Sequence, residues 1–282
     1  MLVIRLPTEF SDATLPKLFV DGVLDGAGTG VLFLFDFARS DCWTGAPLNN
    51  AVIKDLSETG DAEWELESGS VASIAGNGLV LTSNTINKEA CVLLPATVSA
   101  SMYGAGTSLQ HWMTCIYVKL PTLANWWTPA TPGPIMKFAA DQYTVGPEHF
   151  LICVHSAPAL QLRRGTATGT IETISMSAVN LTPHYGLLTQ IAAYRTVAGT
   201  VLRLRSSGGT TSLALGATAA NSQNFGALRC QIGSGTGTWP LYGPGAPTIY
   251  RGWIEDLAVS GRTPTTVLNA DYTRTISRLV FT

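Results

Sequence analysis

Alternating carboxylates are the sharpest candidate for chemistry in this sequence. Glu63, Glu65 and Glu67 are separated by the single residues Trp64 and Leu66. Successive side chains of a β-strand point to opposite faces, so the three acids share one face if the segment is a strand. Two carboxyl groups that flank a glycosidic bond can hydrolyse it. In a catalytic interpretation, Glu63 and Glu67 form that pair.

The surroundings of the acids favour a solvated strand without catalytic function. The segment 68–70, Ser-Gly-Ser, follows directly, so a hydrophobic flank is missing on that side. No G-x-S-x-G elbow, phosphate-binding loop or dinucleotide-binding motif occurs in the sequence. We therefore expect that the protein is not an enzyme and that it needs no cofactor.

Histidines and cysteines give no metal pattern. The four histidines lack metal-ligand spacing and are predicted to be structural: His111, His149, His155 and His184. The five cysteines form no C-x-x-C pair and are predicted to be free, buried thiols, with a disulfide as the alternative: Cys42, Cys91, Cys115, Cys153 and Cys230.

Two aromatic loops are the better candidates for binding. Trp126 and Trp127 precede three prolines in the segment 128–134, and Trp239 and Tyr242 lie in a second loop with proline and glycine. Exposed aromatic rings can stack on a sugar or anchor a protein partner. The alternative is that one or both loops fold back and cap an open end of the fold.

Charge is scarce and nearly balanced. Charged residues make up 13% of the 282 residues, against a usual share of about 25%. The net charge is −2, and basic residues cluster no further than Arg163-Arg164 and the spaced Arg203 and Arg205. This excludes nucleic acid as an expected partner. Few charges favour a symmetric assembly, so we expect a homo-oligomer.

Hydropathy raises the question of membrane insertion. Residues 90–118 lack Asp, Glu, Lys and Arg, but Pro95, two glycines and polar residues interrupt the run. A spanning helix needs about 20 mostly apolar residues, so we expect none here. The first residues also do not resemble a signal peptide, because their apolar run is short and Pro7 follows.

The pattern of the chain predicts an all-β protein. Short apolar or alternating runs, separated by glycine-rich turns, predict two packed antiparallel sheets. One short helix is predicted near 264–272, with Thr263 as its cap and Pro264 at its first position. Six side chains are predicted to face the space between the sheets: Ile116, Val118, Phe150, Ile152, Val154 and Ile191.

The order of these pieces resembles the concanavalin A-like, laminin-G-like jelly roll. The resemblance is carried by Gly76-Asn77-Gly78-Leu79-Val80-Leu81, by the strand 113–119, by the strand 188–194, and above all by 250–259 with its following helix. It covers roughly residues 63–275. It implies a jelly-roll domain at 61–282, with 1–60 as an attachment arm or the first strands of the sandwich.

The first 60 residues resemble the opening of laminin-G-like proteins of tailed bacteriophages. The resemblance lies in Leu32 to Phe37, a following Trp43, and the segment 52–58. It implies a virion structural protein, associated with the tail, a fibre or the capsid as a decoration subunit, that contacts other virion proteins. It also implies assembly in the host cytoplasm. The alternative is a glycan-binding, host-recognition module of a tail fibre or spike.

The same family offers two further comparisons. Some glycoside hydrolases with this jelly roll use an acid-x-acid-x-acid strand, but Glu65 stands where they have Asp, and the segment precedes the opening strand. A hydrolase that uses Glu63 and Glu67 is therefore the third candidate function. Many members hold calcium at the rim of the sandwich, for which Asp36, Asp55 and Asp61 are the candidates.

Overall fold

The computed structural model describes the chain in eleven segments. They are residues 21–28, 30–66, 72–81, 90–103, 111–126, 133–139, 148–155, 158–167, 170–216, 228–234 and 248–278. Within these segments, strands dominate, and no helix is long and apolar enough to cross a membrane.

The strands are numbered β1 to β16 and the helices α1 to α4. The strands are Val31–Asp36 (β1), Val52–Ile53 (β2), Ala62–Leu66 (β3), Ala72–Ala75 (β4), Gly78–Leu81 (β5), Ala90–Leu93 (β6), Trp112–Lys119 (β7), Gly133–Ala139 (β8), Glu148–His155 (β9), Ala159–Ala167 (β10), Thr170–Met176 (β11), Leu188–Thr196 (β12), Gly199–Ser206 (β13), Gly209–Leu215 (β14), Gln231–Ser234 (β15) and Thr248–Asp256 (β16). The helices are Ala96–Tyr103 (α1), Ala178–Leu181 (α2), Leu257–Ser260 (α3) and Pro264–Ser277 (α4).

These strands form two antiparallel sheets. Sheet A has the order β14-β13-β12-β7-β16-β5-β4, and β1 also pairs with β16. Sheet B has the order β11-β10-β9-β8-β15-β6-β3-β2. The predicted fold class, a two-sheet antiparallel sandwich with a short C-terminal helix, is confirmed. Of the two strands between residues 30 and 60, β1 belongs to sheet A and β2 to sheet B.

The core lies between the sheets. Trp112 of sheet A stacks on Phe150 of sheet B with ring centroids 5.0 Å apart. Thr114 Oγ1 lies 2.8 Å from Met136 Sδ across the same space. All six side chains that the sequence predicts for the core are at most 1% exposed: Ile116, Val118, Phe150, Ile152, Val154 and Ile191. The predicted placement of these six side chains in the core is therefore confirmed.

Helix α4 packs on the outer face of sheet A. The predicted start is confirmed, with Thr263 at the N-cap position and Pro264 at the first turn, although the Thr263 side chain makes no capping hydrogen bond. The helix continues past the predicted end to Ser277, because its Asp271, Tyr272 and Thr275 are buried against the sheet.

One further helix of two turns was not predicted. Helix α1 lies within the uncharged run 90–118, and its own residues show almost no helical amphipathicity. It begins directly after Pro95, and its Val98 and Met102 join the core. Tertiary burial of these two side chains stabilises a segment whose sequence pattern gives no helix signal.

A tight hairpin connects β4 and β5. Gly76 and Asn77 both have positive φ, +55° and +61°, as expected for the type I′ turn that matches the twist of the strands. Gly78 follows at a point where a Cβ atom would come within 2.5 Å of the Thr248 side chain. The glycines of this motif are therefore required by the turn and by the close approach of β16.

Candidate functional site

The alternating acids lie on β3, near an edge of sheet B. Trp64 is fully buried in the core, so Glu63 and Glu65 point to the outer face, as the alternation predicts. Glu67 lies outside the described residues. The Glu63 carboxylate is paired with Arg229, whose Nε donates to the Leu94 carbonyl oxygen at 2.6 Å. Glu63 thus takes part in an ion pair that ties β3 to the strand-connecting segment before β15.

The first aromatic loop places one indole inside the protein. Trp126 follows a short 3-10 turn at Leu123–Asn125 and is 7% exposed. Its ring packs edge-on against Tyr185, with centroids 5.6 Å apart. This position matches the alternative in which the loop folds back as a cap. Trp127, Trp239 and Tyr242 lie outside the described residues, so the contact role of the two loops stays a prediction.

The three candidate calcium ligands serve separate interactions. Asp36 pairs with Arg251 and Arg278. Asp55 organises a turn by accepting hydrogen bonds from backbone and hydroxyl groups between residues 57 and 60. Asp61 pairs with Lys54. Among the described residues, no group of three or more His, Cys, Asp or Glu side chains is arranged to hold a metal ion.

His184 has the predicted structural role. It is fully buried, with Nδ1 at 2.8 Å from Ser206 Oγ and Nε2 at 3.0 Å from Thr211 Oγ1. Burial lowers its pKa, which keeps the ring neutral near pH 7.

The five cysteines are buried thiols, as predicted. Burial raises the pKa of the Cys42 thiol to about 12 and that of Cys115 well above its ordinary value. A thiol reacts as its thiolate, so these two groups are inert at neutral pH.

A buried cluster of charges joins α4 to sheet A. We call Arg251, Asp21, Asp36 and Asp271 the matched cluster. The Arg251 guanidinium is 1% exposed and donates to Asp21 Oδ2 at 2.7 Å, to Asp36 Oδ2 at 3.2 Å and to Asp271 Oδ1 at 2.9 Å. Tyr117 and Trp253 donate to Asp271 Oδ2. Every acid of the cluster therefore has a charged partner.

The electrostatics of the matched cluster follow from these contacts. Burial alone would raise the pKa of Asp21, but the charge and hydrogen bonds of Arg251 outweigh it and lower that pKa to about 2. Burial alone would likewise lower the pKa of Arg251, but Asp271 and Asp21 raise it well above its ordinary value. Asp21 and Arg251 therefore stay ionised at neutral pH.

A second arginine group lies on the same face of sheet A, closer to its edge. We call Arg203, Arg205, Tyr194 and Tyr272 the arginine–tyrosine patch. Arg203 Nη2 and Arg205 Nη1 both donate to the side-chain oxygen of Asn269 at 2.6 Å. The Arg205 guanidinium lies 4.3 Å from the centre of the Tyr272 ring, a cation–π contact.

The two arginines of the patch have neutral partners. Besides Asn269, Arg203 donates from Nη1 to Gln190 Oε1 at 3.2 Å. In the part of the chain that the structure describes, neither arginine makes a salt bridge, and Asp271 is paired with Arg251. Burial and then the like charge of Arg205 lower the pKa of Arg203. Two positive charges therefore lie close together, and no described carboxylate pairs with either.

Exposed polar side chains border this patch. On β14, an edge strand of sheet A, Thr210 lies opposite Arg205 of β13 and Ser212 lies opposite Arg203. Thr210 and Ser212 are exposed, Arg205 and Tyr194 are half-buried, and Arg203 is 6% exposed. The arrangement can hold an anionic ligand with hydroxyl groups, because it offers guanidinium donors, hydroxyls and aromatic rings on one rigid face.

Sequence reasoning did not select this site. Arg203 and Arg205 are two residues apart, so a strand would place both on one face, and this spacing was the available signal. Tyr272 and Asn269 come from α4, more than sixty positions later. Their packing on β13 is a tertiary event that the local pattern does not show.

Comparison with known proteins identifies structures with a similar fold. The sequence matches no protein-family model and no curated protein. A botulinum neurotoxin type C structure, described by its interaction with two ganglioside molecules, is 10% identical with a TM-score of 0.50, over 88% of this chain and 53% of that one. A Trypanosoma rangeli sialidase in complex with sialic acid is 11% identical with a TM-score of 0.47, over 85% and 32%.

A third similar structure is the binding domain of botulinum neurotoxin DC in complex with SialylT. It is 11% identical with a TM-score of 0.49, over 82% of this chain and 48% of that one. This chain thus spans about half the length of the neurotoxin domains that it matches. At such identities, the likeness to the type C structure shows a shared β-sandwich fold and nothing finer.

Proposed function

We propose that this chain is a non-catalytic recognition module that binds glycan on the outer face of sheet A. The observation that carries the proposal is the arginine–tyrosine patch, where two guanidinium groups that pair with no described carboxylate lie beside exposed hydroxyls of β14. Sugars are bound by planar hydrogen-bonding groups together with aromatic faces. The fold is also found in the neurotoxin structure described with gangliosides, which is consistent with this role.

The contacts of Glu63 support a role without catalysis. A nucleophile or general acid must reach the glycosidic bond in a suitable protonation state. The Glu63 carboxylate is instead tied to Arg229, which also donates to backbone carbonyl oxygens of residues 93 and 94. Recognition therefore explains this part of β3 better than hydrolysis does.

The setting that we propose is the virion of a tailed bacteriophage, assembled in the host cytoplasm. The support is the resemblance of residues 32–58 to the opening of laminin-G-like phage proteins. In that setting, the glycan belongs to the host surface, and the chain stands beside other virion proteins and further copies of itself.

A structural or decoration subunit is the second candidate. It is favoured by Val52 of the edge strand β2 and by the preceding Leu48, which are 51% and 66% exposed. Exposed apolar side chains at a sheet edge are suited to contacts between subunits. Its test is a pair of double variants, Trp126→Ala with Trp127→Ala, and Trp239→Ala with Tyr242→Ala, measured by incorporation into particles.

The glycan proposal is tested by blocking the patch. Ser212→Trp places a bulky side chain opposite Arg203, and Val197→Trp places one at the exposed turn between β12 and β13 as the matched control. We expect the parent and the control to be retained on host surface polysaccharide and the Ser212 variant to lose retention at least tenfold. Failure of the parent to bind host polysaccharide, or equal retention of all three proteins, would overturn the proposal.

A further inference from the structure

We infer that the arginine–tyrosine patch takes the carboxylate group of an acidic sugar residue. The inference rests on the proposed glycan-binding function and names the class of ligand. Arg203 and Arg205 converge on one amide oxygen of Asn269, and no described acid pairs with either. In the neighbouring matched cluster, every hydrogen bond of the Arg251 guanidinium goes to a carboxylate. In the patch, two positive charges pair with no described carboxylate.

The charge of the patch favours an anionic ligand. Arg203 is 6% exposed and lies two positions from Arg205 on the same strand face. Like charges held together on a partly desolvated surface repel each other, and a neutral amide offsets this repulsion incompletely. A bound anion beside both guanidinium groups removes the repulsion. The site is thus more stable with a negative group than with water.

The geometry of a guanidinium group suits a carboxylate. A guanidinium has five N–H donors in one plane, and a carboxylate fits this fork with two parallel hydrogen bonds. Arg205 uses one donor on Asn269, and its cation–π contact with the Tyr272 ring restrains the side chain. Arg205 is half-buried, so part of its side chain remains open to solvent. A planar carboxylate can therefore bind without reorganising the side chain.

The side chains that border the patch indicate the kind of molecule that carries the carboxylate. Thr210 and Ser212 line the exposed border of the patch and can exchange hydrogen bonds with sugar hydroxyls. Tyr194 lies on β12, on the other side of β13 from β14, and offers a ring at the opposite border. A nucleic acid requires an extended basic surface, whereas this protein has a net charge of −2. A sugar acid matches a compact cationic site with hydroxyl and aromatic borders.

The experiment compares matched ligands. Oligogalacturonate and oligosialic acid are titrated against the parent protein beside their carboxyl-reduced forms and a phosphate-bearing oligosaccharide. We expect binding of at least one acidic oligosaccharide, and at least tenfold weaker binding of its reduced form, because hydrogen bonds to charged groups are the strong ones. Binding should also weaken with added salt.

Two sets of variants connect the result to the patch. Arg205→Gln should weaken binding of the acidic ligand at least tenfold, and Arg205→Lys should lie between this variant and the parent, because it keeps the charge and loses the fork. Lys119→Gln, at an exposed cation elsewhere on sheet A, is the control and should bind like the parent. Ser212→Glu supplies a carboxylate within the protein and should bind at least tenfold more weakly than Ser212→Gln.

The outcomes separate the two proposals. Equal binding of the acidic and carboxyl-reduced forms overturns the carboxylate inference and leaves glycan binding intact. Binding of the phosphate-bearing ligand alone also overturns it, as does an unchanged affinity in Arg205→Gln that melts like the parent. If no acidic ligand binds but host polysaccharide is retained and is lost in Ser212→Trp, this inference fails and the proposed function stands. If the parent retains no polysaccharide at all, both fail.

Discussion

Two arginine groups on one face of sheet A differ in what surrounds them. In the matched cluster, Arg251 contacts the carboxylates of Asp21, Asp36 and Asp271, which come from three separate parts of the chain. In the arginine–tyrosine patch, Arg203 and Arg205 contact the amides of Gln190 and Asn269. The first group lies under α4, and the second lies toward the edge strand β14.

The difference follows from the physics of burial. An ion that is removed from water requires an opposite charge and hydrogen bonds, or it destabilises the fold. Arg251 is 1% exposed, and it has both. Arg205 retains contact with solvent, which tolerates an unmatched charge and leaves room for a ligand. A buried arginine with carboxylate partners therefore indicates a structural role. A pair with neutral described partners, of which Arg205 remains accessible, indicates a binding role.

The largest effect is expected from the matched cluster. Arg251→Ala leaves three carboxylates close together in a buried site, and we expect it to lower the free energy of unfolding by about 5 kcal/mol. Denaturant titration measures this. Arg251→Lys, which keeps one charge but cannot reach all three acids, should fall between the variant and the parent. A loss under about 1 kcal/mol for Arg251→Ala would show that the cluster does not support the fold.

Truncation of an apolar core residue gives a loss of stability with which the result for Arg251→Ala can be compared. Phe150 is fully buried and stacks on Trp112. Phe150→Ala should lower the free energy of unfolding by about 3–5 kcal/mol, because it removes buried area and leaves a cavity. Denaturant titration and thermal melting both measure this loss. A melting temperature within a degree or two of the parent would contradict the register of β9.

Acid should weaken the matched cluster before it affects the patch. The pKa of Asp21 is lowered from 3.8 to about 2 in the folded protein. Its contribution is therefore complete above the unfolded pKa and is lost as the pH falls toward 2, a loss of roughly 2 kcal/mol. Unfolding free energies measured from pH 6 to pH 2 should decline less steeply in Asp21→Asn. Parallel curves for the two proteins would rule out this source of acid sensitivity.

In the patch, we expect substitution of an arginine to weaken ligand binding strongly and to change the stability of the fold little. Arg205 is half-buried and has a neutral partner, so Arg205→Gln should change the free energy of unfolding by less than about 1 kcal/mol. Thermal melting checks this, in the same samples that are used for ligand binding. A loss comparable to that of Arg251→Ala would mean that the patch is a second structural cluster.

The smallest effect is expected at Glu63. Its ion pair with Arg229 is partly exposed, and such pairs contribute about 1 kcal/mol or less. Glu63→Gln and Glu67→Gln should therefore leave folding and glycan retention close to those of the parent. Hydrolysis of a β-glucan or a bacterial polysaccharide by the parent, lost in either variant, would establish the hydrolase instead.

The fold was largely predictable because its signals are local. The alternation of apolar residues in β7, β9 and β12 placed Ile116, Ile152 and Ile191 correctly in the core. Thr263 and Pro264 correctly marked the start of α4. Helix α1 was missed because its sequence has no amphipathic period, and burial against the core decides its conformation.

The candidate site was far less predictable. The aromatic loops are conspicuous in the sequence, but Trp126 is 7% exposed and packs on Tyr185, a contact with a residue almost sixty positions away. Arg203 and Arg205 look unremarkable in the sequence, since two spaced arginines are common on strands. Their significance depends on which side chains of α4 face them.

The sequence by itself determined the strand periods, the turns and the start of the last helix, because these depend on neighbours a few residues apart. Only the tertiary structure decided which charges are matched. Arg251 meets Asp21, which precedes it by 230 positions, and Arg203 meets Asn269. Electrostatic partnership depends on distance in space and on the exclusion of water, and a linear pattern contains neither.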